Sequence, residues 1–306
     1  MAATGILTAV RPTRSLNWTR TAVALALLLP VVAVLCFVIL VPSVQLLWLS
    51  LTDYSPGLGG SFVGLKNYVW ILTDPAFQAA LLRNLFYVFV VVGCEVLIGF
   101  AIALFLQQPI PLRPLWMALV IAPYAVSPIV AVVMWKYMLD PSFGVVNYML
   151  TSIGLPAVKW LSTPTTSMAA IIIVAVWKEF SFTTIVLFAA LSTVPRELYE
   201  ASKIDGASSW QTLRLVTIPL ITPAIAIVVL FRVIFTLREF GIPQTFTGGG
   251  PGTSTEILSL YLYKEAFRYS NFGSGAATGW IMLVITVLLS SVLIRRTFRG
   301  MFPRTR

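Results

Sequence analysis

The chain of 306 residues contains no histidine and only two cysteines. Without histidine, serine–histidine and cysteine–histidine catalytic arrangements are impossible, and the commonest side-chain metal ligand is missing. Cys36 and Cys94 lie inside apolar runs, where thiols behave as small hydrophobes, so neither a disulfide nor a metal site is expected from them. Charge is scarce as well: 10% of residues are charged against 58% hydrophobic, a composition that belongs in a bilayer. Carboxylates are the scarcer sign, 11 against 21 Lys plus Arg. The basic residues fall between and beyond the apolar runs, which makes anionic lipid rather than nucleic acid their neighbour. No catalytic residue is expected.

What is present is length of apolar chain. A helix needs about 20 mostly apolar residues to cross a bilayer, and six stretches qualify: 21–52, 85–106, 115–137, 168–191, 216–237 and 275–294. The first is too long for the apolar region of a cleavable signal peptide. The reading is an all-α membrane protein with a spanning domain over 21–294, an N-terminal tail over 1–20 and a basic C-terminal tail over 295–306. Lys and Arg collect on cytoplasmic flanks. Six spans with an inside N-terminus place Arg11, Arg14, Arg20, Arg113, Arg196, Lys203, Arg214, Arg295, Arg296, Arg299, Arg304 and Arg306 on one side, so both termini are expected in the cytoplasm. The outer loops, 53–84, 138–166 and 238–274, read as connections rather than folding units.

Between the fourth and fifth spans, residues 195–217 read as two short helices around a corner. Pro195 suits a first turn, Gly206 a left-handed helix end, and Ser208 with Gln211 a capping box. Glu200-Ala201-Ser202, Gly206 and Val216-Thr217-Ile218-Pro219 resemble the EAA…G…I-x-L-P coupling segment of permease subunits in binding-protein-dependent ABC importers. Ser202, Val216 and Ile218 replace the usual alanine, isoleucine and leucine with residues of similar shape. The resemblance implies a type I ABC importer permease fold, with this knob seated in a cleft of a cytoplasmic ATPase subunit. Glu200, Ala201, Ser202, Asp205 and Gly206 are the expected coupling residues, the small ones admitting another backbone and the acids fixing register.

Further stretches narrow the resemblance. Pro123-Tyr124-Ala125-Val126-Ser127-Pro128, Trp135-Lys136, Asp140-Pro141-Ser142-Phe143-Gly144, Val176-Trp177-Lys178 and Thr247-Gly248-Gly249-Gly250-Pro251-Gly252 are similar to carbohydrate-importer permeases, of the maltose and glycerol-phosphate subunit of the first kind. That similarity implies a heterodimer with a second, homologous permease, two copies of an ATPase subunit, and an external solute-binding protein. Its solute-lining positions fall on Tyr124, Lys178, Glu179, Arg232, Phe235, Thr236 and Glu239, with Ser127 standing in for a contact that Pro128 lacks. Charged groups within spans face protein or water, so Glu95, Lys178, Glu179, Arg232, Arg238 and Glu239 all require partners.

The glycine run at 248–252 has no Gly-Lys-Ser/Thr ending, and no phosphate-binding loop of that kind occurs elsewhere. ATP and magnesium are therefore expected on the separate ATPase, with no cofactor in this chain. The expected function is uptake of a sugar or related polyhydroxy solute across the cell membrane of a prokaryote. A glycerol-phosphate solute remains open, since Arg232 and Lys178 could hold an anion. So does a carrier driven by an ion gradient, for which the intramembrane carboxylates would be cation sites.

Overall fold

A computed structural model describes residues 18–301, so 1–17 of the expected tail over 1–20 and 302–306 of that over 295–306 lie outside the described residues. The same holds for the side chains of Arg20, Arg296 and Arg299. Among the described residues there is no strand, only two isolated antiparallel bridges, Thr52 with Phe62 and Ser55 with Gly59.

Helix α1, Trp18–Ser50, forms a unit by itself as far as Trp48. Its run from Ala26 to Ser50 meets the length and apolarity of a membrane span. Pro30 and Pro42 sit within it.

The second unit, from Leu49 on, holds the other spans. It opens with α2, Lys66–Thr73, followed at once by α3, Pro75–Gln107. Asp74 caps α3 by accepting from the backbone N–H of Ala76 and Phe77, and Pro75 fills the first turn, where no donor is needed. The span thus starts well before residue 85, where its apolar stretch begins. Helix α7, Pro164–Ser192, is built the same way: Thr163 accepts from Thr166 N–H and Pro164 follows.

Helices α3 and α7 form the most extensive helix pair. Glycine makes that possible: a Cβ on Gly99 would stand 2.7 Å from Cγ2 of Thr183, so only hydrogen fits there. Tyr87, Val91, Ala170, Ile171 and Val174 pack in the core around this seam. Helix α10, Ile218–Leu237, lies against both α3 and α7, and α13, Phe272–Met301, lies against α10. Val88, Val92 and Leu237 are buried between α3 and α10.

One expected span differs. In place of a straight helix over 115–137 there are two shorter ones, α4, Arg113–Ala125, and α5, Pro128–Met138, bent by 100°. Proline explains the break. A residue before proline is pushed out of the helical region, and Ser127 has φ −55° and ψ 141°. Val126 is extended as well, at φ −73° and ψ 132°. The described residues therefore hold five helices long and apolar enough to span, with the bent pair as the sixth crossing or a re-entrant segment. The hydroxyl of Ser181 on α7 donates to the carbonyl of Val120 at 2.5 Å and so ties α4 to the seam.

Short helices fill the loops. Helix α6 is Val145–Ser152, α8 Arg196–Ile204, α9 Ser209–Thr212, α11 Gly241–Phe246 and α12 Leu258–Tyr263. The second arm of the corner does not stop before the fifth span. From Ser209 to Leu237 the chain stays helical, passing through a π-helical turn at Leu213–Thr217. Pro219 gives the reason: its ring displaces the carbonyl one turn back and it has no N–H. The wider turn, in which Ile218 N–H reaches the carbonyl of Leu213, accommodates it.

Candidate functional site

Where α4, α7 and α10 meet, a cavity of about 570 Å³ is lined by Tyr124, Glu179, Phe182, Arg232, Phe235, Thr236, Arg238, Glu239 and Phe240. Each arises from a local cause. Helix α4 ends at Ala125 because of the break before Pro128, which leaves Tyr124 in its last turn. Glu179 and Phe182 are three residues apart on α7, hence on one face. Arg232, Phe235 and Thr236 repeat that spacing along the last two turns of α10, and Glu239 follows two residues past its end.

The charges are joined. Arg232 donates twice to Glu95 on α3, Nε to Oε2 at 2.6 Å and Nη2 to Oε1 at 2.9 Å, and once through Nη1 to Oε2 of Glu179 at 2.9 Å. The other oxygen of Glu179 accepts from Lys178 Nζ at 3.1 Å. Glu95 is wholly buried behind the wall, with 0% exposure. The paired fork geometry suits guanidinium and carboxylate, and such charge-assisted bonds are stronger than neutral ones. At the far side, Oε1 of Glu239 accepts from Ile242 N–H at 3.1 Å and so holds the start of α11.

Aromatic faces make up much of the rest. Tyr124 stacks with Phe182, centroids 6.4 Å apart, and Lys178 Nζ lies 5.4 Å from the Tyr124 ring centre. Phe235 stacks on Phe231 at 6.5 Å. Thr236 borders the cavity at 3% exposure, and its hydroxyl has no hydrogen-bond partner among the described residues.

Six of the eight expected lining residues therefore come together. Two do not. Lys178 is buried behind Glu179 and meets the cavity only through that partner and the Tyr124 ring. Ser127 sits in the break between α4 and α5 and takes no part in the wall, because the bend that proline imposes carries it past the cavity. Phe182, Arg238 and Phe240 join the wall without having been singled out as lining. The signal for Phe182 was its three-residue spacing from Glu179; Arg238 and Phe240 simply flank Glu239.

Pro195 stands one position before the first turn of α8, as its N-cap residue, and the rest of the corner at 195–217 has the local structure its residues predict. Gly206 has φ +73° and ends α8 in a Schellman arrangement, with its N–H bonded to the carbonyl of Lys203 and that of Ala207 to Ser202. Ser208 and Gln211 form a complete capping box, 2.7 Å and 3.3 Å in its two bonds. Glu200, Ala201, Asp205 and Gly206 are exposed. Ser202 is not: it is buried, its hydroxyl donating to the carbonyl of Leu198 at 2.8 Å, because its place on the helical wheel faces the chain's own interior. Ile204, by contrast, is 86% exposed.

Comparison with known proteins places this geometry. The trehalose/maltose transport system permease protein MalF of Thermococcus litoralis is 34% identical over 293 residues, covering 95% of this chain and 98% of the other. The sulfoquinovosyl glycerol transport system permease protein SmoG of Agrobacterium fabrum is 31% identical, covering 93% of each. Among solved structures, a chain of a bacterial ABC transporter involved in the import of the acidic polysaccharide alginate superposes with a TM-score of 0.81 at 24% identity, over 95% of this chain and 98% of that one, which establishes the type I importer permease fold. The family described as "binding-protein-dependent transport system inner membrane component" matches residues 95–306. Spanning helices, fold and the match over more than half its length together make the chain a member of that family, an inner-membrane permease subunit of an ABC importer.

Proposed function

We propose that the cavity between α4, α7 and α10 passes a neutral sugar or related polyol, handed over by an external binding protein. The carrying observation is a wall whose charges cancel and in which aromatic rings border the space. In the wall Arg232 and Arg238 balance Glu179 and Glu239, and behind it Lys178 balances Glu95. Tyr124, Phe182 and Phe235 offer faces on which the C–H side of a sugar ring can lie, while Thr236 and Glu239 offer hydroxyl and carboxylate to its hydroxyls. MalF of Thermococcus litoralis carries a neutral disaccharide class in its name, which agrees with this reading. An anionic glycerol-phosphate solute fits less well, since Arg232 and Lys178 are already engaged by carboxylates. Those same bonds occupy Glu95 and Glu179, which removes them as cation sites for a gradient-driven carrier.

The corner formed by α8 and α9 is, in this reading, the knob that seats in a separate ATPase, which binds and hydrolyses ATP with magnesium. Its outward side supports the assignment: Ile204 and Trp210 are apolar yet 86% and 66% exposed, beside Glu200 and Asp205. Two ATPase copies and a second permease complete the assembly, with both termini in the cytoplasm.

The test pairs yield with activity. In the reconstituted importer, Glu239→Gln and Thr236→Val should assemble in full yield with basal ATP hydrolysis intact. Solute-stimulated hydrolysis with a trehalose or maltose panel should fall by about 5- to 150-fold, as expected when one hydrogen bond of about 1–3 kcal/mol is left unmade. Loss of yield in proportion to loss of activity would instead mean that these side chains only hold the fold.

A further inference from the structure

A larger cavity, about 950 Å³, opens at the other end of the bundle, beside the knob. Arg113 at the start of α4 and Arg196 and Lys203 on α8 line it, and no carboxylate does. None of these three cations forms an ion pair among the described residues. The guanidinium of Arg113 lies over the ring of Phe188 at 4.9 Å, a stacking that leaves its N–H edges available. Residues 196, 199 and 203 share one face of α8 by their spacing, a different face from that of Ile204. The knob therefore has two sides: an exposed apolar one, and an inner one that gathers positive charge.

The remainder of the wall mixes leucines with the hydrogen-bonding side chains of Gln107, Gln108, Ser192, Ser209, Thr212 and Thr217, and sits where two spans stop. Leu104 belongs to the last turn of α3 and Leu191 to the last turn of α7, and Leu213 begins the π-helical turn. Trp116, partly exposed on α4 and packed edge-on against Phe105, marks the same level as an interfacial aromatic. Cations without an ion pair, hydrogen-bonding side chains and leucines gathered at the end of membrane spans match the phosphate, the ester oxygens and the acyl chains of an anionic lipid.

We propose that this cavity binds a phosphate-bearing anion, through Arg113, Arg196 and Lys203, and that the headgroup of an anionic phospholipid is its source. Guanidinium groups present forks that fit phosphate oxygens, and the lysine adds a point charge. A bound phosphate diester would bridge α4 to α8 and so tie the membrane surface to the knob. The proposal concerns binding alone and does not depend on which solute crosses or on what seats against Ile204.

The complete importer is placed in nanodiscs of phosphatidylcholine with or without phosphatidylglycerol, released, and the phosphatidylglycerol still attached is counted by native mass spectrometry. Wild type retains it. Each of Arg113→Gln, Arg196→Gln and Lys203→Gln lowers retention by about five-fold, the ratio that corresponds to about 1 kcal/mol per basic residue. Lys159→Gln, an exposed lysine outside the cavity, leaves it unchanged. Reading single variants keeps the result usable should the triple variant fail to assemble. A second arm measures binding of inorganic phosphate to the importer in phosphatidylcholine discs; binding there that the same variants abolish, without lipid retention, assigns the site to a free anion. Retention equal in wild type and in all three variants, or no binding of either probe, overturns the proposal.

Discussion

Arg232 makes three hydrogen bonds to two carboxylates, one of them fully buried, and is the point at which the helix seam and the cavity wall meet. Removing it strands Glu95, and breaking a buried pair from one side costs about 3–5 kcal/mol. Arg232→Met should therefore lower complex yield and thermal stability. Arg232→Met combined with Glu95→Leu should restore much of both, since replacing the whole pair by apolar groups is often neutral, while transport stays lost. Recovery of transport by the double variant would show that the pair serves the fold alone. The need for partners was legible in the sequence, because a charge within a span is costly. Which partner was not: Glu95 and Arg232 are 137 residues apart, and only the packing of α3 on α10 joins them.

Outside the spans, Glu265 gives a pH-dependent case. Burial raises its carboxyl above the ordinary value, an effect that the hydrogen bond from Asn271 opposes and that nearby Asp74 and Glu256 reinforce. A raised acid pKa means that the folded state favours the proton, so stability is lost as pH climbs from the ordinary carboxylate value through the raised one. Glu265→Gln should unfold at a higher temperature than the parent at neutral pH. The two should converge at acid pH, below the ordinary carboxylate value. Melting curves across that range check the sign; a variant no more stable at neutral pH than its parent would contradict it.

At the scale of elements, Gly206 offers a clean test because its cost is conformational. A Cβ there would meet nothing within 4 Å, yet φ is +73°. Gly206→Val should cost about 1–2 kcal/mol in the corner, and Gly206→Asn distinctly less, since asparagine tolerates the left-handed region. Co-purification of the ATPase and solute-stimulated hydrolysis should follow the order glycine, asparagine, valine. Equal losses for both would point to a contact with the partner rather than to backbone strain. This corner was readable because its signals are local: a glycine, and a serine three residues before a glutamine. The starts of α3 and α7 were local too, in Asp74-Pro75 and Thr163-Pro164, but lay outside the apolar stretches by which the spans were first found. The third stretch was read as one helix although Pro128 lies within it, and the break falls there. Its size, 100°, depends on the packing of α4 on α7 and α5 on α11, which no local pattern states.

For the molecule as a whole, the distribution of charge predicts the orientation. Arg113, Arg196, Lys203, Arg214 and Arg295 belong to segments at one end of the spans, and Lys and Arg favour the cytoplasmic side. In a chain cleared of Cys36 and Cys94, Leu58→Cys, in a loop where that side chain is 90% exposed, should react with an impermeant maleimide added to intact cells. Arg295→Cys should react only after permeabilisation. The opposite pattern would invert the molecule and place the knob outside, where no ATPase could reach it.

The π-helical turn at Leu213–Thr217 has a geometric consequence for the rod that runs from Ser209 to Leu237. Each residue of an α-helix advances the azimuth by about 100°, and a π turn inserts roughly one residue without lengthening the register of the hydrogen-bond ladder that follows. Trp210 and Arg232 are thus clocked against each other by that insertion: in a regular helix the guanidinium would point about 100° away from Glu95 when the tryptophan faces outward. About 33 Å of helix separates the two, and over that length the bulge that Pro219 imposes fixes the angle between them.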